Sequence, residues 1–205
     1  MTIDVRAGGR DYREVYKLCI SFINPRPIAM VSTLSPDGRH NLAPFSFYNM
    51  VCANPPVVMF STGLRRDLRP KDTLLNVEAT REFVVATADE PIAQKMVDCA
   101  ADLAYGESEF AFSGLTPAPA TSVRPALVKE APVNIECTLR QVLPIGDGPG
   151  SSRVVFGDIV TIHVRDDLLG PDGDIDPHRL RTVGRLGAQW YCTVTAPYEM
   201  RIPKV

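Results

Sequence analysis

Residues 41–49 have the sequence Asn-Leu-Ala-Pro-Phe-Ser-Phe-Tyr-Asn. Apolar and polar residues alternate only loosely here, and Pro44 lacks the backbone N–H that a strand inside a sheet must donate. We therefore predict an interrupted strand that leaves the regular ladder near Pro44. Such an interruption frees backbone donors and acceptors around residues 43–46 for something other than a neighbouring strand.

Segments of strand length lie on both sides of this stretch. The turn sequence Ser-Pro-Asp-Gly at 35–38 predicts a β-hairpin whose second strand begins at His40. Further strands are predicted over 28–34, 57–61, 82–87, 133–145 and 154–164, with a bulge at Gly157. Short helices are predicted over 12–18, over 74–80 with Asp72 or Thr73 as cap, and over 91–101 with Asp89 as cap.

The order of these elements predicts the fold class. The connections are too short for repeated βαβ crossovers, so the strands should pair antiparallel. We predict a mainly β fold with peripheral α-helices, closed into a barrel because closure removes exposed strand edges. The length of 205 residues, with 45% hydrophobic and 22% charged residues, suits a single domain over residues 1–205.

Composition also excludes several classes of function. The net charge is -2 with acids and bases interspersed, which argues against nucleic acid as a partner. Neither a signal peptide nor a membrane-spanning run is visible, so we expect a cytoplasmic protein without a membrane partner. The five cysteines and three histidines are widely spread and lack ligand spacing, so we expect no disulfide framework and no metal site.

Four segments in a fixed order carry a resemblance to a known family. They are residues 26–33, 41–49, 54–61 and 71–73, the last followed by Asn76. Together with Gly-Arg-Leu-Gly at 184–187 and Tyr191, this set resembles the flavin reductase-like family over roughly residues 20–192. The resemblance implies an FMN-binding split β-barrel, a homodimer with FMN near the subunit interface, and a flavin ring lying against residues 43–46.

The phosphate of FMN requires a cation together with hydroxyl and amide donors. Lys71, Asp72 and Thr73 precede a predicted helix and supply an ammonium, a hydroxyl and unpaired N–H groups, although alone they also fit an ordinary helix start. Arg65, Arg66 and Arg69 add positive potential. The full set implied to bind the cofactor is Arg26, Pro27, Ser32, Thr33, Asn41, Ala43, Pro44, Phe45, Ser46, Asn49, Ser61, Lys71, Asp72, Thr73, Arg185 and Tyr191.

The resemblance also implies an activity. It indicates an NAD(P)H-dependent flavin reductase in which flavin N5 takes hydride from NADH or NADPH. The electrons then pass to free flavin for a partner monooxygenase, or to another acceptor. The redox chemistry belongs to the cofactor, so no catalytic side chain is required. FMN is favoured over FAD. Two alternatives stay open: a flavoredoxin-like FMN electron carrier without a nicotinamide site, and a non-redox module that binds another phosphate-bearing ligand.

Overall fold

The computed structural model describes residues 2–5, 10–65, 67–103 and 107–203. Its helices are α1 (Tyr12–Phe22), α2 (Asp72–Thr80), α3 (Ala93–Asp98) and α4 (Glu109–Ser113). Its strands are β1 (Arg26–Pro27), β2 (Ala29–Leu34), β3 (His40–Phe45), β4 (Tyr48–Ala53), β5 (Pro56–Gly63), β6 (Glu82–Thr87), β7 (Pro117–Ala118), β8 (Leu127–Val128), β9 (Val133–Ile145), β10 (Ser152–Val164), β11 (Val183–Arg185) and β12 (Tyr191–Thr193).

The main sheet curls so that its first and last strands meet. It contains seven strands in the order β3-β2-β6-β9-β10-β5-β4, with antiparallel pairing between neighbours. β3 and β4 lie at opposite ends of this order, yet only Ser46 and Phe47 separate them in the chain. The Ser61 N–H donates to the Phe47 carbonyl at 2.8 Å, which extends the pairing of β4 with β5 to the junction. The result is a barrel with an open seam, which confirms the predicted split β-barrel.

The position of the strand interruption differs from the prediction. β3 pairs with β2 without a break, through Met30 opposite Pro44 and Ala29 opposite Phe45. The bend falls instead at Ser46 and Phe47. Pro44 is tolerated because β3 is an edge strand, and a proline whose missing N–H would face away from the neighbouring strand removes no ladder bond.

The β9–β10 hairpin bends at the predicted glycine. The register between the two strands shifts between Phe156 and Gly157, so the bulge predicted at Gly157 is confirmed. A Cβ atom at position 157 would lie 2.3 Å from Cζ of Phe83 on the neighbouring strand β6. Glycine is therefore required here because the buried Phe83 ring fills the space that a side chain would need.

Two hydrophobic cores lie on opposite faces of β2, β3 and β6. The inner core fills the barrel, and α2 closes it with Leu74 and Val77. The outer core lies under α3 and α4, with Met96 and Phe110 as their contributions. Successive residues of a strand point to opposite faces. β2 accordingly gives Ala29 and Val31 to the inner core and Met30 to the outer one.

The helix starts differ from the predicted caps. α2 begins at Asp72 with Lys71 as its N-cap residue, and no side chain caps it. Thr73 instead accepts a hydrogen bond from Asn41, and Asp72 pairs with Arg65. The predicted caps at Asp72 and Thr73 are therefore wrong, because tertiary partners hold both side chains. Asp89 precedes the 3-10 helix Glu90–Ile92 as predicted, but its side chain makes no cap bond.

One buried carboxylate organises the loop on the outer side of β9. Glu136 is fully buried and accepts backbone N–H bonds from Thr121, Ser122 and Val123 at 2.6–2.9 Å. Burial raises the pKa of Glu136, but the 2.5 Å contact with His163 Nε2 and the three amides outweigh burial and hold it below its ordinary value. The carboxylate thus satisfies three amides that would otherwise need another acceptor.

The described residues contain no helix that is both long and apolar enough to cross a membrane. In that same part of the chain, no group of three or more His, Cys, Asp or Glu side chains is placed to hold a metal ion.

Candidate functional site

A cleft of about 850 Å³ opens beside the end of β3. It is lined by Tyr16 and Lys17 of α1, by Pro44 and Ser46 at the seam, and by residues 185–188, 190 and 191. We call it the main cleft. Its volume lies within the range of roughly 300–1,000 Å³ that is usual for small-molecule and cofactor sites.

The main cleft is positively charged although the chain as a whole is not. Lys17, Arg26 and Arg185 line it, and none of its lining residues in the described part of the chain is Asp or Glu. The full sequence, by contrast, has 24 acidic and 22 basic residues. A pocket that offers cations without carboxylates favours an anionic ligand.

Three backbone carbonyls surround the guanidinium of Arg26. Nη1 donates to the carbonyls of Ile20 at 2.9 Å and Ile23 at 2.6 Å, and Nη2 donates to that of Leu186 at 2.8 Å. These bonds serve carbonyls at the end of α1, where intrahelical partners run out. Burial lowers the pKa of Arg26, and its Nε finds no hydrogen-bond partner among the described residues. Arg26 thus joins α1 to the 185–191 segment.

Two glycines allow that segment to approach the end of α1. A Cβ atom at Gly184 would lie 2.8 Å from Cβ of Pro25, and one at Gly187 would lie 3.3 Å from Cα of Ser21. The Gly-Arg-Leu-Gly motif therefore packs its glycines against the end of α1. Arg185, between them, lines the cleft.

Arg185 and Tyr191 act as one unit. They are paired across β11 and β12, and the guanidinium donates to the Tyr191 hydroxyl and to the Ala188 carbonyl. The guanidinium carbon lies 4.4 Å from the centroid of the Tyr191 ring, a cation–π arrangement. These contacts fix the position of the charge. Beside them, Trp190, the single tryptophan of the chain, is 74% exposed at the same cleft.

The outer edge of β3 offers backbone acceptors next to the cleft. The Leu42 N–H donates to Glu109 Oε2 at 3.1 Å, so it points away from β2. In an antiparallel ladder, residues two apart direct their backbone groups to the same side. The carbonyl of Pro44 therefore also faces this outer edge. Because β3 is an end strand of the seven-stranded sheet, no further strand of that sheet donates to this carbonyl. Burial raises the pKa of Glu109, the carboxyl that covers the Leu42 position.

Polar side chains from three elements meet at the start of β3. Asn41 Nδ2 donates to Thr33 Oγ1 at 3.2 Å and to Thr73 Oγ1 at 3.0 Å. Asn76 Nδ2 donates to the same Thr33 Oγ1 at 3.1 Å. The network joins β2 and β3 to the first turns of α2. We call these four residues and Lys71 the α2 entrance.

Lys71 and Arg65 bring positive charge to the α2 entrance. The Lys71 ammonium lies 5.6 Å from the centroid of the Phe45 ring, and burial, followed by the charge of Arg65, lowers its pKa. Arg65 is already paired, with Asp72 at 2.9 Å and Asp102 at 3.6 Å. The α2 entrance therefore mixes cations with carboxylates, unlike the main cleft.

The structure divides the predicted cofactor residues into groups. Those that line the main cleft are Arg26, Pro44, Ser46, Arg185 and Tyr191. Those at or beside the α2 entrance are Thr33, Asn41, Lys71, Asp72 and Thr73. The others are Ala43 and Phe45 at the inner core, fully buried Ser32, Pro27 in β1, Asn49 in β4 and Ser61 in β5. Arg66 lies outside the described residues, and Arg69 pairs with Asp67 at 2.6 Å.

Several residues of the main cleft were not predicted from the sequence. They are Tyr16, Lys17, Ile20, Ser21, Met96, Ala100 and Trp190. Most of them belong to α1 or to α3 and the residues just after it. An amphipathic pattern predicts that a segment is a helix, but it does not predict which part of the protein the helix packs against. Only Trp190 had a usable signal, since it directly precedes Tyr191 of the closing motif.

Comparison with known proteins identifies the family. The family model described as Flavin reductase like domain matches residues 22–179. This chain belongs to the flavin reductase-like family. Among the relatives of this chain, an uncharacterized protein from Halalkalibacterium halodurans is 40% identical over 195 residues, covering 94% of this chain and 93% of the relative.

Solved structures of similar proteins agree on the fold. The Pseudomonas fluorescens 2-nitrobenzoate 2-nitroreductase is 30% identical with a TM-score of 0.87, over 99% of this chain and 96% of that one. Nitrilotriacetate monooxygenase component B from Bacillus cereus is 30% identical with a TM-score of 0.90, over 98% and 99%. A split-barrel domain from Shewanella frigidimarina, 23% identical with a TM-score of 0.83 over the whole of both chains, supports the fold alone.

Proposed function

We propose that this flavin reductase-like protein binds FMN and works as an NAD(P)H-dependent oxidoreductase. The observation that carries the proposal is the main cleft: it holds cations, none of its described lining residues is acidic, and it lies at the acceptor-bearing edge of β3. In this proposal the flavin ring lies against residues 43–46 and the phosphate lies at the α2 entrance.

The closeness of the two predicted segments, residues 43–46 and 71–73, supports a single nucleotide that contacts both. The Lys71 ammonium lies 5.6 Å from the Phe45 ring, and Asn41 of β3 bonds to Thr73 at 3.0 Å. Residues 43–46 and 71–73 are therefore neighbours rather than parts of distant surfaces. A phosphate at the α2 entrance would meet the Lys71 charge and the N–H groups of the first turn of α2, which lack intrahelical partners.

The residues of the main cleft fit a flavin chemically. The carbonyl of Pro44 can accept from a ring N–H. Arg185 is held by Tyr191 and Ala188, so its positive charge is already oriented when negative charge develops nearby. α1 shields one side of the cleft from water.

A flavin held in this site would supply the redox chemistry, which is two-electron transfer from a reduced nicotinamide, left as NAD(P)+, to an acceptor. The similar nitroreductase and monooxygenase component suggest two acceptor classes, an aromatic nitro compound and free flavin delivered to a monooxygenase. Both can be assayed with the same reduced protein, by following nitro-group absorbance or the appearance of reduced free flavin.

The first test is the visible spectrum of the purified protein and mass spectrometry of what denaturation releases. FMN with a flavin absorption band is expected. NADH or NADPH, added without oxygen, should then bleach that band. A flavin that stays oxidised until a protein donor is added would replace the reductase with a flavoredoxin-like carrier. A colourless protein that does not bind added FMN would contradict flavin binding altogether.

We further propose that the protein works as a homodimer across β4. Met50 and Val51 of this edge strand are 51% and 48% exposed, and Phe47 beside them is 43% exposed. Exposed apolar side chains on an unpaired strand edge are a usual site of association between chains. Sedimentation at micromolar concentration should give a dimer, and Val51→Lys should give a monomer. A monomeric wild-type protein would contradict the proposal.

A further inference from the structure

The carboxyl group of Glu109 lies over the outer edge of β3, at a strand position between those of the α2 entrance and the main cleft. Its Oε2 accepts from the Leu42 N–H at 3.1 Å. On one side of Leu42 along the strand, Asn41 belongs to the α2 entrance, and on the other side, Pro44 lines the main cleft. A ligand with its ring at Pro44 and its phosphate at the α2 entrance would therefore pass close to this carboxyl group.

Glu109 differs from the neighbouring carboxylates because, among the described residues, it has no ion-pair partner. Asp72 and Asp102 both pair with Arg65, at 2.9 Å and 3.6 Å. Burial raises the pKa of Glu109, and the negative charge of Asp72 adds to this effect. Glu109 is therefore the carboxylate of this region that a further negative charge would protonate most readily.

Three nearby elements bring other titratable groups toward Glu109. β3 contributes His40, whose ring packs edge-on against a ring of α4. α3 contributes Lys95, whose ammonium donates to a carbonyl at the C-terminal end of α4, and Cys99. Burial raises the pKa of Cys99 to about 11, so its thiol stays neutral. α2 contributes Asp72. A comparison of proteins that differ only at residue 109 holds all of these groups constant.

The phosphate of the proposed ligand would change the charge around Glu109. A phosphate monoester carries up to two negative charges near neutral pH. At the α2 entrance it would lie beside Asp72, whose charge already acts on Glu109. Nearby like charges favour the neutral form of a carboxyl group. The neutral carboxyl can still accept from the Leu42 N–H through one oxygen, and its O–H can donate to a ligand oxygen.

We propose that Glu109 takes up a proton from solvent when the phosphate of FMN binds at the α2 entrance. The inference rests on the proposed function for the ligand and for the position of its phosphate. Binding of the ligand and of the proton are then linked, so each strengthens the other by the same factor. FMN affinity therefore rises as the pH falls from above the pKa of Glu109 in the complex to its pKa in the free protein, and Glu109 adds no further change below that.

Fluorescence titration of FMN at several pH values tests the proposal with wild type, Glu109→Gln and Glu78→Gln. Glutamine imitates the protonated carboxyl, so Glu109→Gln should bind FMN about fivefold more tightly than wild type near pH 8, and the two affinities should converge toward about pH 5. Titration of the phosphate itself affects all three proteins alike and cancels in the comparison. Glu78→Gln, which changes an exposed glutamate of α2, is the matched control and should follow the wild type.

Calorimetry in buffers of different ionisation enthalpy measures the proton uptake directly and needs no turnover. Near neutral pH, wild type should take up more protons for each FMN bound than Glu109→Gln does. Riboflavin, which lacks the phosphate, should give no such difference between the two proteins. A purely structural role of Glu109 would change the affinity for both flavins without this dependence on the phosphate.

The possible outcomes separate this inference from the proposed function. Equal proton uptake by wild type and Glu109→Gln, an equal difference with riboflavin, or a glutamine variant that binds FMN no more tightly than wild type near pH 8 overturns the inference alone, roughly at the pH where the linkage predicts the largest gap. If FMN binds to neither protein at any pH, the proposed function fails and this inference fails with it.

Discussion

The main cleft lies beside the end of β3 and the α2 entrance lies at its start, and the cations of the two regions have opposite kinds of partner. In the main cleft Arg26 and Arg185 are held by carbonyl and hydroxyl oxygens, and no carboxylate is among the described lining residues. At the α2 entrance Arg65 is neutralised by Asp72 and Asp102, and Lys71 is left close to an aromatic ring.

This difference shows which region has positive charge that no carboxylate already neutralises. Neutral oxygens orient a guanidinium without cancelling its charge, so the main cleft keeps its full positive potential. An anion at the α2 entrance has to compete with the existing ion pairs, and it gains mainly from Lys71 and from the helix start. Substitutions in the main cleft and at the α2 entrance should therefore have different effects on folding and on flavin affinity.

The largest expected effect belongs to Arg26→Ala. The change leaves the carbonyls of Ile20, Ile23 and Leu186 without their donor. It should lower the free energy of unfolding by about 4 kcal/mol, since a buried acceptor left unsatisfied, here the Ile20 carbonyl, costs roughly 1–3 kcal/mol and the two part-buried carbonyls add smaller losses. Denaturant titration measures the loss. Hydrogen exchange should accelerate in α1 and near Leu186 but not in α2. Arg13→Ala, an exposed arginine on the same helix, is the control.

Ser46→Asp should be next in size. A carboxylate at this position would face the same space as the proposed flavin and reduce the positive potential of the cleft. The reduced flavin ring carries negative charge, so the affinity for reduced FMN should fall by about 3 kcal/mol, the usual cost of placing like charges together, while Ser46→Asn should retain most of it. Quenching of Trp190, which lines the cleft, reports binding. Equal affinities for the Asp and Asn variants would contradict an anionic ligand in the cleft.

Lys71→Ala tests whether the α2 entrance contributes to flavin binding. If the phosphate binds at the α2 entrance, FMN affinity should fall by roughly 1–3 kcal/mol, the value of a charge-assisted contact. Lys71→Arg should preserve most of the affinity because it keeps the charge. Fluorescence titration of FMN gives the measurement. An unchanged affinity for the alanine variant would place the whole ligand in the main cleft.

Glu109→Gln should give the smallest effect, and its sign depends on pH. Burial raises the pKa of Glu109 in the folded protein. The protonated carboxyl is therefore favoured in the folded state, and the wild type loses stability as pH rises from the unfolded pKa, about 4.3, through the folded value. The glutamine oxygen can still accept from Leu42. Thermal denaturation should thus show the variant gaining stability relative to the wild type as the pH rises above about 4.3, the unfolded pKa.

Local signals in the sequence predicted much of the fold. The predicted bounds of β6 and β9 are confirmed, as is the bulge at Gly157. The pattern of apolar residues along a strand and the glycine that interrupts it are both local features of the sequence. The prediction that Pro44 breaks the ladder was wrong, because it assumed a central strand. Edge position depends on the order of the whole sheet, which no local pattern contains.

The candidate site could be predicted only in part for the same reason. The neighbouring positions of Phe45 and Lys71 agree with the expected arrangement of the two predicted segments. Arg26 was expected to contact the flavin, whereas the structure shows that most of its donors bind α1 and Leu186. Such contacts join residues far apart in sequence, and residue types alone do not reveal them.

The seam between β3 and β4 has a consequence for how the molecule assembles. Ser46 and Phe47 join β3 to β4 directly, but the ladder that links these two strands around the barrel runs through the other five strands, so the barrel is complete only when all of them are paired. Contacts between distant parts of a chain slow folding because large loops must close first. Ligand-binding capacity should therefore appear late during refolding, and a fragment that ends before the β9–β10 hairpin should be unable to bind flavin.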